Sequence, residues 1–261
     1  MCAGVINKIV VFLILTAGTC WAGGCTAGSA AQAGQDAKPD AVDEILQRLN
    51  ENTGALSSYQ CRVEYLFSQP LFESKSLRKG LLYYQRQPQG SKLRIDFQTL
   101  KQDDEKDQKY IEQYIFDGIW LTHIDYQIKE IKKQQLAEPN EPADAFALAA
   151  EHFPIIGFTQ AADLKKDFEI KLAEPNDIAR LHLKVRPDSV YKDDYSSIDL
   201  RIDRKLNLPA QITAVSTEQD IYQITFIEPK VNQKIDKKVF EVKVPAGFGE
   251  PQIIPLDKKT R

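Results

Sequence analysis

The chain has 261 residues, 43% hydrophobic and 27% charged, with 34 Lys and Arg against 37 Asp and Glu. That length admits one or two domains with a sizeable core. A net charge of −3 forces no basic face, which argues against nucleic acid as a partner. The pairs Lys132-Lys133, Lys165-Lys166 and Lys237-Lys238 read as solvated strand ends and loops.

Residues 1–24 read as an export signal. Lys8 gives a positive start, and Ile9 to Ala17 is an apolar run too short to span a bilayer comfortably. Two processing schemes are open. Cleavage after Ala22 suits the small-x-small rule at Cys20-Trp21-Ala22. Alternatively, Ala22-Gly23-Gly24-Cys25 resembles a bacterial lipobox with Cys25 as the acylated residue, although Ala22 stands where that motif prefers Leu. Residues 25–38 are rich in Ala, Gly, Ser and Gln and suit a flexible tether under either scheme. Cys2 and Cys20 leave with the signal, so Cys61 stands alone in the folded region and no internal disulfide framework is expected. In strand phase with Val63, Tyr65 and Phe67, Cys61 reads as a small core residue.

Folding is expected from about residue 39. Asp40 caps a helix in which Val42, Ile45, Leu46 and Leu49 recur at helical spacing, and Gly54 ends it. Strand patterns follow at Tyr59–Phe67, Leu77–Arg86, Leu93–Phe97, Tyr110–Phe116, Ile119–Asp125 and Gln127–Lys133. Lys101 to Lys109 is a charged loop, and Asp117-Gly118 is the strongest hairpin signal. The pattern then breaks at Glu138 to Pro142. Ala143 to Phe153 is a helix former with Phe146, Ala149, Ala150 and Phe153 on one face; Pro154 ends it, and Ile155, Ile156 and Phe158 follow. A short helix over Ala161 to Lys166 precedes renewed strands from Phe168 to Val244. Ten or eleven short strands at hairpin spacing predict a mainly β fold. One unclosed antiparallel barrel covered by short helices would span residues 39–250, with a tail at 251–261. An antiparallel sheet with one apolar face must cover it. Cover by a mobile helical segment would leave a greasy space suited to hydrophobic cargo.

Catalytic patterns are missing. His123, His152 and His182 have no close ligand partners, and no nucleophile elbow, zinc helix, dinucleotide loop or P-loop occurs. Asp103-Asp104 and Asp193-Asp194 read as solvated turns. Neither an enzymatic activity nor a cofactor is expected. Both phases of Leu81 to Tyr84 are apolar, and Tyr110, Tyr114, Phe116 and Trp120 cluster around one hairpin.

Several segments, taken in order, resemble the LolA/LolB family of lipoprotein carriers. They are Gly80-Leu81-Leu82-Tyr83-Tyr84, Leu93-Arg94-Ile95-Asp96-Phe97, the turn Phe116 to Leu121, Ile202-Asp203 through Leu208-Pro209, and Phe240 with Pro245-Ala246-Gly247-Phe248. The likeness spans about Val42 to Phe248. It implies a half-barrel under a helical lid, binding lipoprotein acyl chains or a related lipid as a monomer. It also implies the periplasm of a bacterium with two membranes, an inner-membrane ABC exporter as donor and an outer-membrane acceptor. A lipid on Cys25 would make the chain a tethered relative. The implied cavity residues are Tyr65, Leu82, Tyr84, Phe97 and Trp120, and the lid residues Phe146, Phe153, Ile155 and Ile156. Arg86, one residue out of place before Pro88, is the lid-latch candidate. The competing expectation is an envelope lipid or stress sensor, a regulatory interaction module on the same fold.

Overall fold

The structure, a computed structural model, describes residues 41–146, 148, 161–174 and 178–256. Cys25, Phe153, Ile155 and Ile156 lie outside the described residues. Helix α1 (Ala41–Gly54) leads into β1 (Ser58–Gln69), β2 (Ser74–Arg86), β3 (Ser91–Gln102), β4 (Gln108–Phe116), β5 (Trp120–Asp125) and β6 (Glu130–Gln135). Helix α2 (Ala161–Asp167) precedes β7 (Phe168–Glu174), β8 (Ile178–Val185), β9 (Tyr195–Asp203), β10 (Leu208–Ser216) and β11 (Ile221–Val231), and β12 (Gln252–Ile254) closes the series.

All twelve strands form one unclosed sheet in the order β12-β6-β5-β4-β3-β2-β1-β11-β10-β9-β8-β7. Two meanders, β1 to β6 and β7 to β11, are joined by antiparallel pairing of β1 with β11. Strand β12 lies parallel to β6, so the sheet takes in three residues of the segment read as a tail. This order puts β6 and β7 near or at opposite edges. Of the described residues after β6, Ala145, Phe146 and Leu148 pack on the inner face.

Local chemistry explains the turns. Asp117 and Trp120 close the β4–β5 hairpin, with Gly118 at φ +106 in the first tip position. The Asp117 carboxylate accepts from the N–H groups of Ile119 (2.9 Å) and Trp120 (2.8 Å). Asp203 does the same for Lys205 (2.8 Å) and Leu206 (3.1 Å), and Asn207 supplies the left-handed residue before Leu208-Pro209.

Alternation divides the faces. Tyr59, Cys61, Val63, Tyr65 and Phe67 of β1 point inward, together with Leu82 and Tyr84, Leu93 and Phe97, Tyr114 and Phe116, Leu181 and Leu183, Ile198 to Ile202, and Tyr222. Helix α1 buries Val42, Leu46, Leu49 and Thr53, one stripe, against this core. Its Asp43 meets Lys165 of α2 at 2.6 Å. On the outer face Ile115, Ile124 and Ile131 form a smaller cluster with Tyr126 and Phe248. The C-terminal segment straps that face, and Arg94 Nη1 donates to the Val239 carbonyl at 2.8 Å.

Coiling of the sheet needs a close approach at Gly80. The β2–β3 register shifts between Lys79 and Gly80, and a Cβ on Gly80 would stand 2.0 Å from the Asp96 carbonyl oxygen. That neighbour is backbone and cannot rotate away. Gly80→Ala is expected to destabilise the fold by about 2 kcal/mol or more, read as a lowered urea midpoint with the slope unchanged.

Candidate functional site

The inner face opens at the end where β2 and β4 finish. There Pro142 to Phe146 run across the hairpin turns. The Ala143 N–H donates to the Gly118 carbonyl (2.8 Å), the Ser91 N–H to the Ala143 carbonyl (3.1 Å), and the Ala145 N–H to Ser91 Oγ (2.7 Å). Gly90 makes this approach feasible: its φ is +69, and a Cβ there would come 2.5 Å from the Ala143 oxygen. Phe146 then stacks on Tyr84, with centroids 4.1 Å apart and planes at 22°. The Tyr84 hydroxyl donates to Asp144 Oδ2 at 2.7 Å, and Asp144 Oδ1 accepts from the Phe146 N–H at 2.9 Å. Burial first, and then the Asp144 hydrogen bond, push the Tyr84 phenol up to about 12. It therefore stays protonated and keeps donating.

Beside this stack lies an apolar pocket of about 330 Å³, counting the space that opens to solvent, lined by Thr53, Leu56, Tyr59, Phe146, Leu208, Pro209 and Phe226. It joins the end of α1 and the following turn to β1, β10 and β11. Of these lining residues only Phe146 was expected from the sequence. Thr53, Leu56, Tyr59, Leu208 and Pro209 sit at or near element ends, where periodicity carries little signal, and Phe226 lies in the middle of β11.

Tyr65, Leu82, Tyr84 and Phe97 all occupy the inner face and belong to one apolar cluster with Phe146. Only Tyr84 and Phe146 stand at the opening. Tyr65 and Phe97, with centroids 6.5 Å apart, lie further along the strands. The side chains between are packed against one another: Leu82 is 6% exposed and Tyr84 0%. Trp120 is on the other face. The hairpin register pairs Leu121 with Phe116, so Leu121 turns inward and Trp120 outward, where Lys133 Nζ sits 5.0 Å from the indole centroid. Arg86 bonds to helix α1 rather than directly to residues 142–146. Its Nη1 donates to the Gly54 carbonyl, placing a cation at the helix C-terminus, and its Nε donates to the Tyr84 hydroxyl at 3.4 Å. Tyr84 links it onward to Asp144. Burial pushes the Cys61 thiol up to about 12, as befits an inert core residue.

Further from the opening, charged groups interrupt the apolar inner face. Arg78 is 4% exposed and Glu112 0%. Glu112 Oε1 accepts from the Tyr114 hydroxyl at 2.7 Å and lies 3.0 Å from His123 Nε2. Arg78 Nε stands 3.5 Å from Glu112 Oε2, and its guanidinium carbon is 5.5 Å from the Tyr110 centroid. Tyr114 and His123 stack at 4.5 Å. Asp125, also buried, pairs in register with Glu112 and accepts from the Gln127 N–H at 2.7 Å. Arg78 Nε and Nη1, Glu112 Oε2 and Ser76 Oγ are buried with no hydrogen-bond partner among the described residues. Arg78 and Glu112 had a sequence signal, sharing strand phase with Tyr84 and Tyr114, whereas an inward Trp120 would have turned His123 outward. Among the described residues no group of His, Cys, Asp and Glu is placed to hold a metal ion.

No family model matches the sequence, and no curated protein matches it. Solved structures do. An uncharacterized conserved protein from Thermus thermophilus is similar with a TM-score of 0.47 and 11% identity, over 83% of this chain and 100% of that one. Pseudomonas aeruginosa MucB, in its complex with MucA, gives 0.45 and 15%, over 77% of this chain and 60% of that one. The LolA superfamily protein NE2245 from Nitrosomonas europaea gives 0.33 and 12%, over 76% and 96%.

The buried cluster predicts an acid-sensitive contribution to stability. Burial alone raises the Glu112 pKa, but the hydrogen bonds from His123 and Tyr114 and the charge of Arg78 outweigh it and hold the carboxyl below its ordinary 4.5. A lowered folded value means that the contribution is complete above about pH 4.5 and is lost as pH falls through the folded value. Glu112→Gln leaves Arg78 without its counter-charge and should cost about 3 kcal/mol at pH 7. Urea melts from pH 7 to pH 3 should show the gap to wild type narrowing on the acid side.

Proposed function

We propose that the protein binds the acyl chain of a lipoprotein or a related lipid, without catalysis, in the hydrophobic inner face of its half-barrel. The observation that carries this reading is the apolar opening beside the Phe146–Tyr84 stack. Its lining is almost wholly apolar, which suits the tip of an acyl chain. Each buried methylene stabilises by about 0.8 kcal/mol, so grease alone supplies useful affinity.

Deeper entry requires the Phe146–Tyr84 contact to part. An aromatic stack contributes about 0.5–1.5 kcal/mol and the Tyr84–Asp144 hydrogen bond about 1 kcal/mol. A closure this weak can yield to an incoming chain and release it again. The export signal sets this binding outside the cytoplasm, and no helix among the described residues is long and apolar enough to cross a membrane.

Phe146→Asp should leave the circular dichroism spectrum of the sheet intact and weaken binding of a fluorescent fatty-acid analogue at least tenfold. Unchanged binding would count against the site. Recovery of a stable protein complex carrying no lipid would favour the regulatory alternative. Tyr84→Phe keeps the ring stack and deletes the bonds to Asp144 and Arg86. It should cost about 1 kcal/mol of stability and accelerate probe entry several-fold in stopped-flow traces.

A further inference from the structure

The sheet treats its two edges differently. On one side the C-terminal strand β12 covers β6. On the other, β7 pairs with β8 and, among the described residues, with no further strand. An open edge offers unpaired N–H and C=O groups, and proteins blunt it with a proline, a bulge or an unpaired charge. Phe168 to Leu172 carry neither proline nor bulge; the register first shifts between Leu172 and Glu174. Their two charges, Glu169 and Lys171, are exposed on the outer face and bond to each other at 2.8 Å. Phe168, Ile170 and Leu172 pack inward.

The ladder shows which backbone groups are free. The Arg186 N–H donates to the Asp167 carbonyl at 2.9 Å, the position opposite it when the β7–β8 register is continued. Bonded and non-bonded positions alternate along an antiparallel pair. Asp167, Glu169 and Lys171 therefore turn their backbone groups to β8. Phe168, Ile170 and Leu172 turn theirs to the open edge.

We infer that β7 is the pairing edge for a second copy of this chain, the two strands running antiparallel with Ile170 on the two-fold axis. Two sheets then become one, in place of the monomer that the family resemblance implies. The inference stands apart from the acyl-binding reading. With Ile170 opposite its copy, Phe168 meets Leu172 of the other copy, and all the edge-facing backbone groups find partners. Between them Glu169 stands opposite Lys171 of the other copy, and symmetry repeats the pair. These are non-hydrogen-bonded positions, where facing side chains come closest. Neighbouring registers fail. An axis through Glu169 sets that carboxylate against itself, and one through Lys171 sets ammonium against ammonium. An axis between residues opposes a free backbone position to one already bonded to β8. Only the Ile170 axis matches both hydrogen bonds and charge, and it runs the two apolar inner faces on from one copy to the next.

The test is sedimentation equilibrium of the mature protein, with variants at the two exposed charges. Wild type should show a concentration-dependent monomer–dimer equilibrium. Glu169→Lys and Lys171→Glu each set like charges opposite in both pairs and should raise the dimer dissociation constant by about tenfold or more. The double variant exchanges the charges, restores the match and should return to within about threefold of wild type. Ile170→Pro removes an N–H that β8 does not use, a tolerated change on an edge strand, and should abolish the dimer while the circular dichroism spectrum is kept. A wild type that stays monomeric at every concentration overturns the inference. So does a dimer indifferent to the single reversals, or a double variant as weak as either single one.

Discussion

The pairing of β1 with β11 is the contact on which everything else depends. It joins two meanders that would otherwise be separate sheets, across more than 150 residues of sequence. Asn232 fastens one end: its side-chain oxygen accepts from the Ser57 N–H at 2.8 Å, and its own N–H donates to the Ser58 carbonyl at 2.8 Å. With that seam made, β7 stands at one end of the pairing order and β6 next to the other. Ala145, Phe146 and Leu148, which follow β6 in the chain, come to lie on the inner face. Such non-local pairing is slow to form, because loop closure must precede its reward.

Once the sheet coils, its inner face is divided by chemistry. Most of it is aliphatic and aromatic, filled by its own side chains and by the stripe of α1. One stretch is ionic. Each buried donor or acceptor left unpaired costs about 1–3 kcal/mol, and the charges lose hydration that their mutual attraction only partly restores. The Arg78–Glu112 pair therefore gives the interior an acid-sensitive element that an all-aliphatic face would lack.

The opening is held differently from the core. Residues 142–146 are tied by backbone bonds to glycine turns and by one ring stack, whereas the β-ladders and the buried stripe of α1 hold the remainder. The least secure contacts on the inner face therefore lie where an apolar ligand would enter. Arg86 ties the end of α1 to Tyr84, so helix and opening share one hydrogen-bonded chain.

Much of the architecture could be read without coordinates. Alternation in β1, β3 and β9, the helical stripe from Val42 to Leu49, and the aspartate turns at Asp117 and Asp203 are local signals, and local signals survive into the fold. Tyr65 and Phe97 face inward as the alternation of their strands implies; Leu82 and Tyr84 do so too, although both phases of their strand are apolar in sequence. Trp120 does not, because a hairpin's register decides which of two neighbouring residues faces in, and shifting it by one exchanges them. Leu208, Pro209 and Phe226 were invisible as pocket walls for another reason: they meet Thr53 and Phe146 only after distant strands pair. The buried ionic cluster lies between these cases. Arg78 and Glu112 announce themselves as charges in an inward phase, but only packing shows that they are buried together. Sequence alone determined the elements and their faces, since those depend on neighbours a few residues apart. Tertiary structure decided the seam and the company each inward residue keeps, since those depend on contacts between strands far apart in the chain.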